Sequence, residues 1–465
     1  MASRKISIPG HAALSAAVAH LGPVGSLRRQ IAANVAGSLA LALSSKLLML
    51  LTSVLLARLM GAAGYGIYAT AMALVLVLTV PSALGLPTLV LRLLASYRVQ
   101  EQWGLMRGLL TRGNQTVLGL SLLMAGAAGL VIWLLAGRLG LDKATTFALA
   151  LVLIPLTALG ALRSAALRGL HHVLLGQLPE SVMMPAIFLV LVGLWWLVVG
   201  KAGLLPPQAA IGARLIATAS AFLAGALFLL KRIPASVRDA APQYDFSAWW
   251  RSVLPLFLLY GMGIINSQTD VLMLAALRGS ESAGIYQAAA RGAELVGFSL
   301  VIVNMAIQPT ISRLYASGDM IRLQRVATLG ARVAVAAALP LALLAIFLGK
   351  PLMAYIFGGE FSRGAVALAI LAAAQVFNAA SGSANDLLNM TGHERDTAVG
   401  TAIGAIANIT LNFLLIPIWD IAGAAMATGL SLILWNVWLV VRVRRRLGLA
   451  PTAFAPVRLA KSNPA

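Results

Sequence analysis

The sequence predicts an all-α integral membrane protein with about twelve transmembrane helices in two parallel six-helix repeats. Of its 465 residues, 60% are apolar and 11% are charged, whereas soluble globular domains carry about 25% charged residues. Apolar stretches of roughly 20 residues, the length that crosses the hydrocarbon core of a bilayer, occur twelve times. They lie near residues 33–57, 65–91, 113–136, 144–163, 179–200, 208–230, 252–277, 285–308, 327–349, 364–388, 398–418 and 420–441.

The second half of the chain repeats the first half. Aligning GAAGYGIYATAMAL around Gly66 with GSESAGIYQAAARG around Gly284 gives an offset of 218 residues, and Arg107 aligns with Arg325 at the same offset. An even number of spans per repeat makes the two copies parallel. Two packed copies of a membrane unit leave a cleft between them, and alternating-access transporters bind their substrates in such a cleft. The repeat therefore predicts a transporter.

The distribution of basic residues predicts the orientation in the membrane. A net charge of +21 would suggest nucleic acid binding in a soluble protein, but here we expect no nucleic acid partner. When the N-terminus and every second connection are assigned to one side, that side holds 25 Lys and Arg residues against seven on the other. Because cytoplasmic loops carry the excess of Lys and Arg, both termini are predicted to be cytoplasmic.

Several chemical signatures are absent from the sequence. The chain has no cysteine and five histidines, so a thiolate site is excluded and we expect no metal. No phosphate-binding loop, zinc-protease motif or serine-hydrolase motif occurs. We therefore predict that the protein is not an enzyme, has no catalytic residues and needs no cofactor beyond a coupling ion, H⁺ or Na⁺.

Four ionisable residues within the predicted spans are the main candidates for function, because such groups are costly in lipid. Arg291 and Glu294 share a helix face, which suggests a local ion pair or the lining of a cavity. Lys46 lies in the middle of the first span and Asp270 within the seventh, and neither has an opposite charge within one turn. The repeat aligns Asp270 with Thr52, which lies less than two turns beyond Lys46 on the first span. We therefore expect Lys46 and Asp270 to face each other across the cleft.

Three further ionisable residues lie near the ends of spans. Arg163 aligns with Asp386 at an offset of 223 residues, slightly longer than the offset at Gly66, which suggests a pair that bridges the halves when the cytoplasmic side closes and separates when it opens. Glu180 follows Pro179 at the start of the fifth span, where a carboxylate stabilises a helix N-terminus. We therefore interpret Arg163 and Asp386 as candidate gate residues and Glu180 as a helix cap.

The runs at residues 61–92, 270–319 and 387–417 resemble bacterial polysaccharide flippases of the Wzx type, which act in O-antigen and exopolysaccharide synthesis. These flippases belong to the superfamily of multidrug, oligosaccharidyl-lipid and polysaccharide exporters. The resemblance implies a V-shaped transporter of two lobes in the bacterial inner membrane. Its implied substrate is an undecaprenyl-diphosphate-linked glycan, moved from the inner to the outer leaflet. Membrane lipids are implied partners, together with a polysaccharide polymerase and a chain-length regulator.

For that role, Lys46 and Arg291 are the candidate substrate-binding cations, and Asp270, Glu294 and Asp386 are the candidate coupling-ion sites. Two alternatives stay open: a multidrug or cation antiporter of the same fold, and a membrane glycan polymerase or ligase. The predicted domains are a cytoplasmic tail (1–30), an N-lobe (31–230), a linker (231–250), a C-lobe (251–441) and a basic cytoplasmic tail (442–465).

Overall fold

The computed structural model describes residues 24–199 and 204–456, and these residues form helices and short connections without any strand. The predicted all-α membrane fold is confirmed. Nine stretches of the described residues are long and apolar enough to cross a membrane. The structure is thus that of a multi-pass membrane protein.

The first half of the chain contains eight α-helices and one π-helical turn. They are α1 (Val24–Ala83), α2 (Leu86–Val99), α3 (Trp103–Leu139), α4 (Leu141–Leu151), α5 (Leu153–Gly169), α6 (Val173–Leu178), the π-helical turn Pro179–Met183, α7 (Met184–Val199) and α8 (Pro207–Arg232).

The linker and the second half of the chain contain eight further α-helices and one 3₁₀ turn. They are α9 (Ala235–Asp239), α10 (Phe246–Leu277), α11 (Ser280–Ala316), α12 (Met320–Phe347), α13 (Gly349–Ile356), the 3₁₀ turn Gly359–Gly364, α14 (Ala365–Ser381), α15 (Ala384–Met390) and α16 (Glu394–Leu447).

Two of these helices are sharply bent, and each provides two crossing segments. Helix α1 bends at Gly61, where φ is 66°, and α16 bends at Asp420, where φ is 49°. A positive φ breaks the right-handed helix and costs least at glycine. The backbone strain is therefore smaller at Gly61 than at Asp420. With these bends, the helix bounds are compatible with the twelve predicted spans.

The surface has the composition expected in lipid. Large apolar side chains point outward along the helices, including Val198 (83% exposed), Trp133 (73%) and Phe413 (66%). In contrast, many positions between helices hold small residues, such as Ala71, Ala288 and Ala424, all completely buried. Small residues let transmembrane helices approach closely, so the helices are held together by tight packing rather than by large core side chains.

The repeated glycines meet each other at the side of the molecule predicted to face outward. A Cβ atom added to Gly66 in α1 would lie 1.7 Å from the backbone oxygen of Ser280, and one added to Gly284 in α11 would lie 2.1 Å from that of Ala62. No side chain fits at either position. The two halves of the molecule are therefore in backbone contact there, at a junction we call the outer seal.

Two polar contacts reinforce the outer seal. The backbone N–H of Ala62 donates to Glu360 Oε2 at 2.9 Å, and Arg58 donates to the backbone oxygens of Tyr355 and Ile356. Each contact joins α1 to the segment that connects α12 with α14. The outer side of the molecule is thus closed in this conformation.

Part of the basic C-terminal tail packs against the helices. Helix α16 continues to Leu447, and the segment after it hydrogen-bonds to α12 and α14. Gln324 donates to the backbone oxygen of Ala450 at 2.6 Å, and Arg332 donates to that of Ala453 at 3.0 Å. Residues 457–465 and most of the predicted N-terminal tail lie outside the described residues. The domain boundaries stay predictions.

Candidate functional site

One carboxylate and two cations form a cluster between the halves of the molecule. Lys46 Nζ on α1 lies 2.8 Å from Glu294 Oε2 on α11, and Arg291 Nη1 lies 2.7 Å from Glu294 Oε1. The predicted ion pair between Arg291 and Glu294 is confirmed. Because one carboxylate serves two cations, the cluster keeps a net charge of +1, which favours binding of an anion in a weakly polar environment.

The expected pairing of Lys46 with Asp270 is wrong in this conformation. Lys46 binds Glu294 instead, and Asp270 is buried (4% exposed) among polar side chains of the second half. The position of a residue in a span gives its depth in the membrane but not the side of the helix that it occupies. Packing turns Asp270 toward α11 and α16, whereas Glu294 faces α1.

Asp270 lies at the centre of a hydrogen-bonded cluster. Its Oδ2 atom accepts from the hydroxyls of Tyr286 at 2.7 Å and Thr428 at 2.6 Å. Its Oδ1 atom accepts from the side-chain amides of Asn408 at 3.0 Å and Asn412 at 2.5 Å. We call these five residues the Asp270 cluster. Its donors come from α11 and from both segments of the bent α16, so the cluster ties these helices to α10.

The Asp270 cluster has the chemistry of a small-cation site. The side-chain oxygen of Asn412 is buried and has no hydrogen-bond partner among the described residues, and an unsatisfied buried oxygen is rare in proteins. Asn412 also donates to the Asp270 carboxylate, and hard cations prefer carboxylate and amide oxygens as ligands. The Asp270 cluster is therefore a candidate site for the coupling ion, and this assignment stays a prediction.

A cavity of about 240 Å³ lies beside the cluster of Lys46, Arg291 and Glu294. It is lined by residues of both halves, among them Arg214 on α8, Tyr65 on α1 and Arg291 on α11. The Arg214 guanidinium lies 5.2 Å from the centroid of the Phe188 ring. Arg214 forms no salt bridge with any residue that the structure describes. The cavity therefore presents one cation without a carboxylate partner and a second, Arg291, that shares one.

Sequence reasoning assigned no role to Arg214, although one signal marked it. Arg214 lies inside an apolar span and has no acidic residue within two turns. That pattern led to the selection of Lys46, and it applies equally to Arg214. The cavity adds Arg214 to the candidate substrate-binding residues.

The proposed gate residues do not pair in this conformation. The Arg163 guanidinium stacks 3.2 Å from the centroid of the Phe222 ring, and Asp386 is buried (8% exposed) with the side chains of Gln308 and Asn385 as hydrogen-bond partners. The expected pair forms only when the cytoplasmic side is closed, whereas this conformation is closed on the outer side. The gate therefore stays a prediction.

Glu180 is not a helix cap, contrary to its interpretation from the sequence. The backbone of Leu178 and Pro179 is already helical, so that α6, the π-helical turn and α7 run on without a break. Glu180 thus lies inside a continuous helix. Its side chain faces a second cavity, which also contains Arg168.

The chain matches two family models. The model described as polysaccharide biosynthesis protein matches residues 31–315, and the MatE model matches residues 255–414. A curated relative, the probable flippase AglR of Haloferax volcanii, is 27% identical over 195 residues. That match covers 41% of this chain and 40% of AglR, so it spans about two fifths of the relative's length.

Three solved structures share the fold over most of the chain. An inward-facing multidrug resistance MATE family transporter of the MOP superfamily has a TM-score of 0.70 at 12% identity, covering 87% of this chain and 94% of its own. The lipid II flippase MurJ in an inward closed conformation has a TM-score of 0.66 at 16% identity, covering 87% of each chain. A MOP superfamily transporter from Pyrococcus furiosus has a TM-score of 0.59 at 13% identity, covering 89% and 96%.

Identities this low show the fold alone, and the assignment to a family depends on the family model that spans more than half of the chain. The helical architecture, the two repeated halves and the cavity between them all agree with that assignment. The chain therefore belongs to the polysaccharide biosynthesis protein family.

Proposed function

We propose that the protein moves undecaprenyl-diphosphate-linked oligosaccharide repeat units from the inner to the outer leaflet of the bacterial cytoplasmic membrane. The observation that carries the proposal is the cavity between the halves, lined by Arg214 and Arg291 and adjoining Lys46. Lys46 and Arg291 share one carboxylate there, that of Glu294, and Arg214 adds a third basic side chain within the apolar spans.

A lipid-linked diphosphate as substrate explains why the cavity contains these basic side chains. An unpaired cation within a membrane protein is costly and needs a partner or an aqueous cavity. The diphosphate of the substrate is anionic, its glycan is polar, and its polyprenyl tail is apolar. A cationic cavity between the lobes accommodates the diphosphate and the glycan, while the polyprenyl tail remains in lipid.

The cluster also suggests how binding is linked to movement. The Lys46 to Glu294 salt bridge joins the two halves of the molecule, so it must break when they separate. A bound diphosphate competes with Glu294 for Lys46 and Arg291. Substrate therefore weakens a contact that holds the present conformation, and it shifts the equilibrium because it binds the two states unequally.

The Asp270 cluster is the proposed site of the coupling ion. The sequence contains no nucleotide-binding motif, so we infer that an ion gradient or the downstream consumption of product drives the cycle. Among the candidates Asp270, Glu294 and Asp386, only Asp270 adjoins a buried oxygen, that of Asn412, for which the described part of the chain provides no hydrogen-bond partner. Asp270 is held by both segments of α16, so occupation of this site by an ion acts directly on the packing of the second half.

The proposal is tested by a flipping assay in vesicles. The purified protein is reconstituted with undecaprenyl diphosphate carrying a labelled sugar, and a membrane-impermeant reagent measures how much label reaches the opposite leaflet. We expect transport of this lipid above the rate in protein-free vesicles. No transport by protein that is folded and inserted, under either an imposed sodium or proton gradient, would contradict the proposal.

A multidrug or cation antiporter is the second candidate, and it is favoured by the MATE transporters with the same fold. The basic lining of the cavity argues against it, since cationic drugs need an acidic site. The same vesicles distinguish the two functions. Export of a cationic dye such as ethidium, without movement of the labelled lipid, would favour the antiporter.

A further inference from the structure

A second polar cavity, apart from the one that contains Arg214, is lined by polar residues of the first half of the molecule and by Met305 of the second half. It has a volume of about 330 Å³, which is at the lower end of the range for small-molecule pockets, about 300–1,000 Å³. Six polar side chains line it: Ser38, Ser164, Arg168, Gln177, Glu180 and Ser181. They come from α1, α5, α6 and the π-helical turn, so residues far apart in the sequence converge here.

The local backbone is built to bring these side chains into the cavity. Glu180 Oε1 lies only 2.7 Å from where a Cβ atom of Gly160 would stand, so the carboxylate occupies the space that this glycine leaves. Gly176 likewise allows α6 to approach the Ser164 backbone oxygen of α5. The π-helical turn changes the direction of the side chains that follow it, and such turns are frequent at functional sites.

The hydrogen-bonding capacity of the cavity is largely free. Among the described residues, neither Glu180 nor Gln177 has a hydrogen-bond partner, and no salt bridge joins Glu180 to Arg168. The Glu180 side chain is exposed to the cavity. Carboxylate, guanidinium, amide and hydroxyl groups together offer both donors and acceptors, which is what a sugar ring with several hydroxyl groups requires.

Charge separates this cavity from the diphosphate site. Lys46, Arg214 and Arg291 outnumber the single carboxylate of Glu294, whereas the second cavity holds one basic side chain, Arg168, and one acidic side chain, Glu180, and so has no excess of basic groups. A neutral polyhydroxyl group, in contrast, donates to Glu180 and accepts from Arg168. The two cavities therefore suit the two polar parts of one substrate.

The distance between the cationic cluster and the second cavity suits a substrate whose diphosphate binds at one and whose glycan binds at the other. Ser38 precedes Lys46 by two turns of α1, which corresponds to about 12 Å along the helix. Met305, on the opposite side of the cavity, follows Glu294 on α11 by about 16 Å. Both displacements point toward the predicted cytoplasmic side. A glycan attached to a diphosphate at the cationic cluster and extending toward the cytoplasm reaches this cavity.

We propose that the cavity between α1, α5 and the π-helical turn is a carbohydrate-binding subsite, in which Glu180, Gln177 and Arg168 hydrogen-bond to the glycan of the lipid-linked substrate. This inference rests on the proposed function. It assigns the diphosphate to the cationic cluster and the recognition of the sugar to Glu180 and its neighbours. Glu180 is thus a specificity residue rather than a coupling-ion site.

The test compares two probes with the purified protein: undecaprenyl diphosphate without sugar, and the lipid-linked repeat unit extracted from the producing cells. We expect Glu180→Gln to weaken binding of the repeat unit about tenfold, the effect of losing one charge-assisted hydrogen bond. Binding of the sugar-free lipid should not change. Gly160→Ala should act in the same way, because its new methyl group displaces the carboxylate without removing it.

The controls separate failure of the subsite from failure of the proposed function. Glu101→Gln removes an exposed carboxylate elsewhere and should leave both probes unaffected. If the parent protein binds neither lipid, the proposed function fails. If the parent binds both and Glu180→Gln changes neither, or weakens both equally, the subsite is refuted. If Glu180→Gln keeps full affinity for the repeat unit but alters the response to an ion gradient, the subsite is refuted as well. Glu180 would then be an ion site.

Discussion

Adding one methyl group at the outer seal should open the outer side of the protein. In the structure, a Cβ atom at Gly66 lies 1.7 Å from the Ser280 oxygen, whereas carbon and oxygen atoms in contact are separated by about 3.3–3.6 Å. The halves must therefore move apart by roughly 1.6 Å at this point for Gly66→Ala. The atom in the way belongs to the backbone, so no side chain can rotate to relieve the clash.

This clash destabilises only the conformation in which the outer side is closed. Overpacking of a close contact costs about 1–3 kcal/mol, which corresponds to a shift of about 5- to 150-fold toward the conformation in which the outer side is open. Because the outer-open state lacks the contact, it avoids the cost. Gly66→Ala should therefore also slow export, since the cycle has to return through the sealed state.

The shift is measured by electron spin resonance distances. The chain has no cysteine, so single cysteines at Leu141 and Tyr355 (84% and 82% exposed) carry spin labels without disturbing the packing. Gly66→Ala should raise the population of longer distances between the labels. Gly263→Ala is the matched control, because no atom of the residues that the structure describes lies within 4 Å of its added Cβ. An unchanged distance distribution with Gly66→Ala would show that the glycine contact does not hold the outer side closed.

Three further predictions address the cations, the coupling site and the topology. Lys46→Ala should abolish glycan export while protein levels stay normal, and Lys46→Arg should keep part of the activity; unimpaired export by the alanine variant would assign Lys46 a structural role. Asp270→Asn should still bind substrate but lose the dependence of transport on an imposed gradient, unlike Asp239→Asn in the linker. A normal gradient response would move the coupling site to Glu294 or Asp386. In intact cells, a cysteine at Gly359 should react with an impermeant thiol reagent and one at Ser317 should not; the reverse pattern would invert the topology.

The fold was predictable because apolar length is a strong signal. A stretch of about 20 apolar residues has few uses other than crossing a membrane, and a repeat of 218 residues indicates two similar halves. The bends also agree with the predicted spans. Gly61 lies between the spans 33–57 and 65–91, and Asp420 lies at the boundary between 398–418 and 420–441, three residues after Pro417.

The partners of the buried charges were only partly predictable. Arg291 and Glu294 pair within one helix, so their spacing alone indicated the contact. The partner of Lys46 depends on which side of α11 faces α1, and apolar spans give no reliable indication of that rotation. The Asp270 cluster likewise brings together Asn408, Asn412 and Thr428 from two segments of a bent helix, and such convergence is set by packing.

The central claim, that a cationic cavity between the lobes binds an anionic lipid headgroup, is tested most directly by changing the charge of Arg214 in the flipping assay. Arg214→Lys should keep part of the transport of labelled undecaprenyl-diphosphate sugar, because the charge remains while its geometry changes. Arg214→Glu should abolish it, and Arg138→Glu, on the exposed outer surface, should have no effect. Transport at the parent rate by folded Arg214→Glu protein would contradict the account.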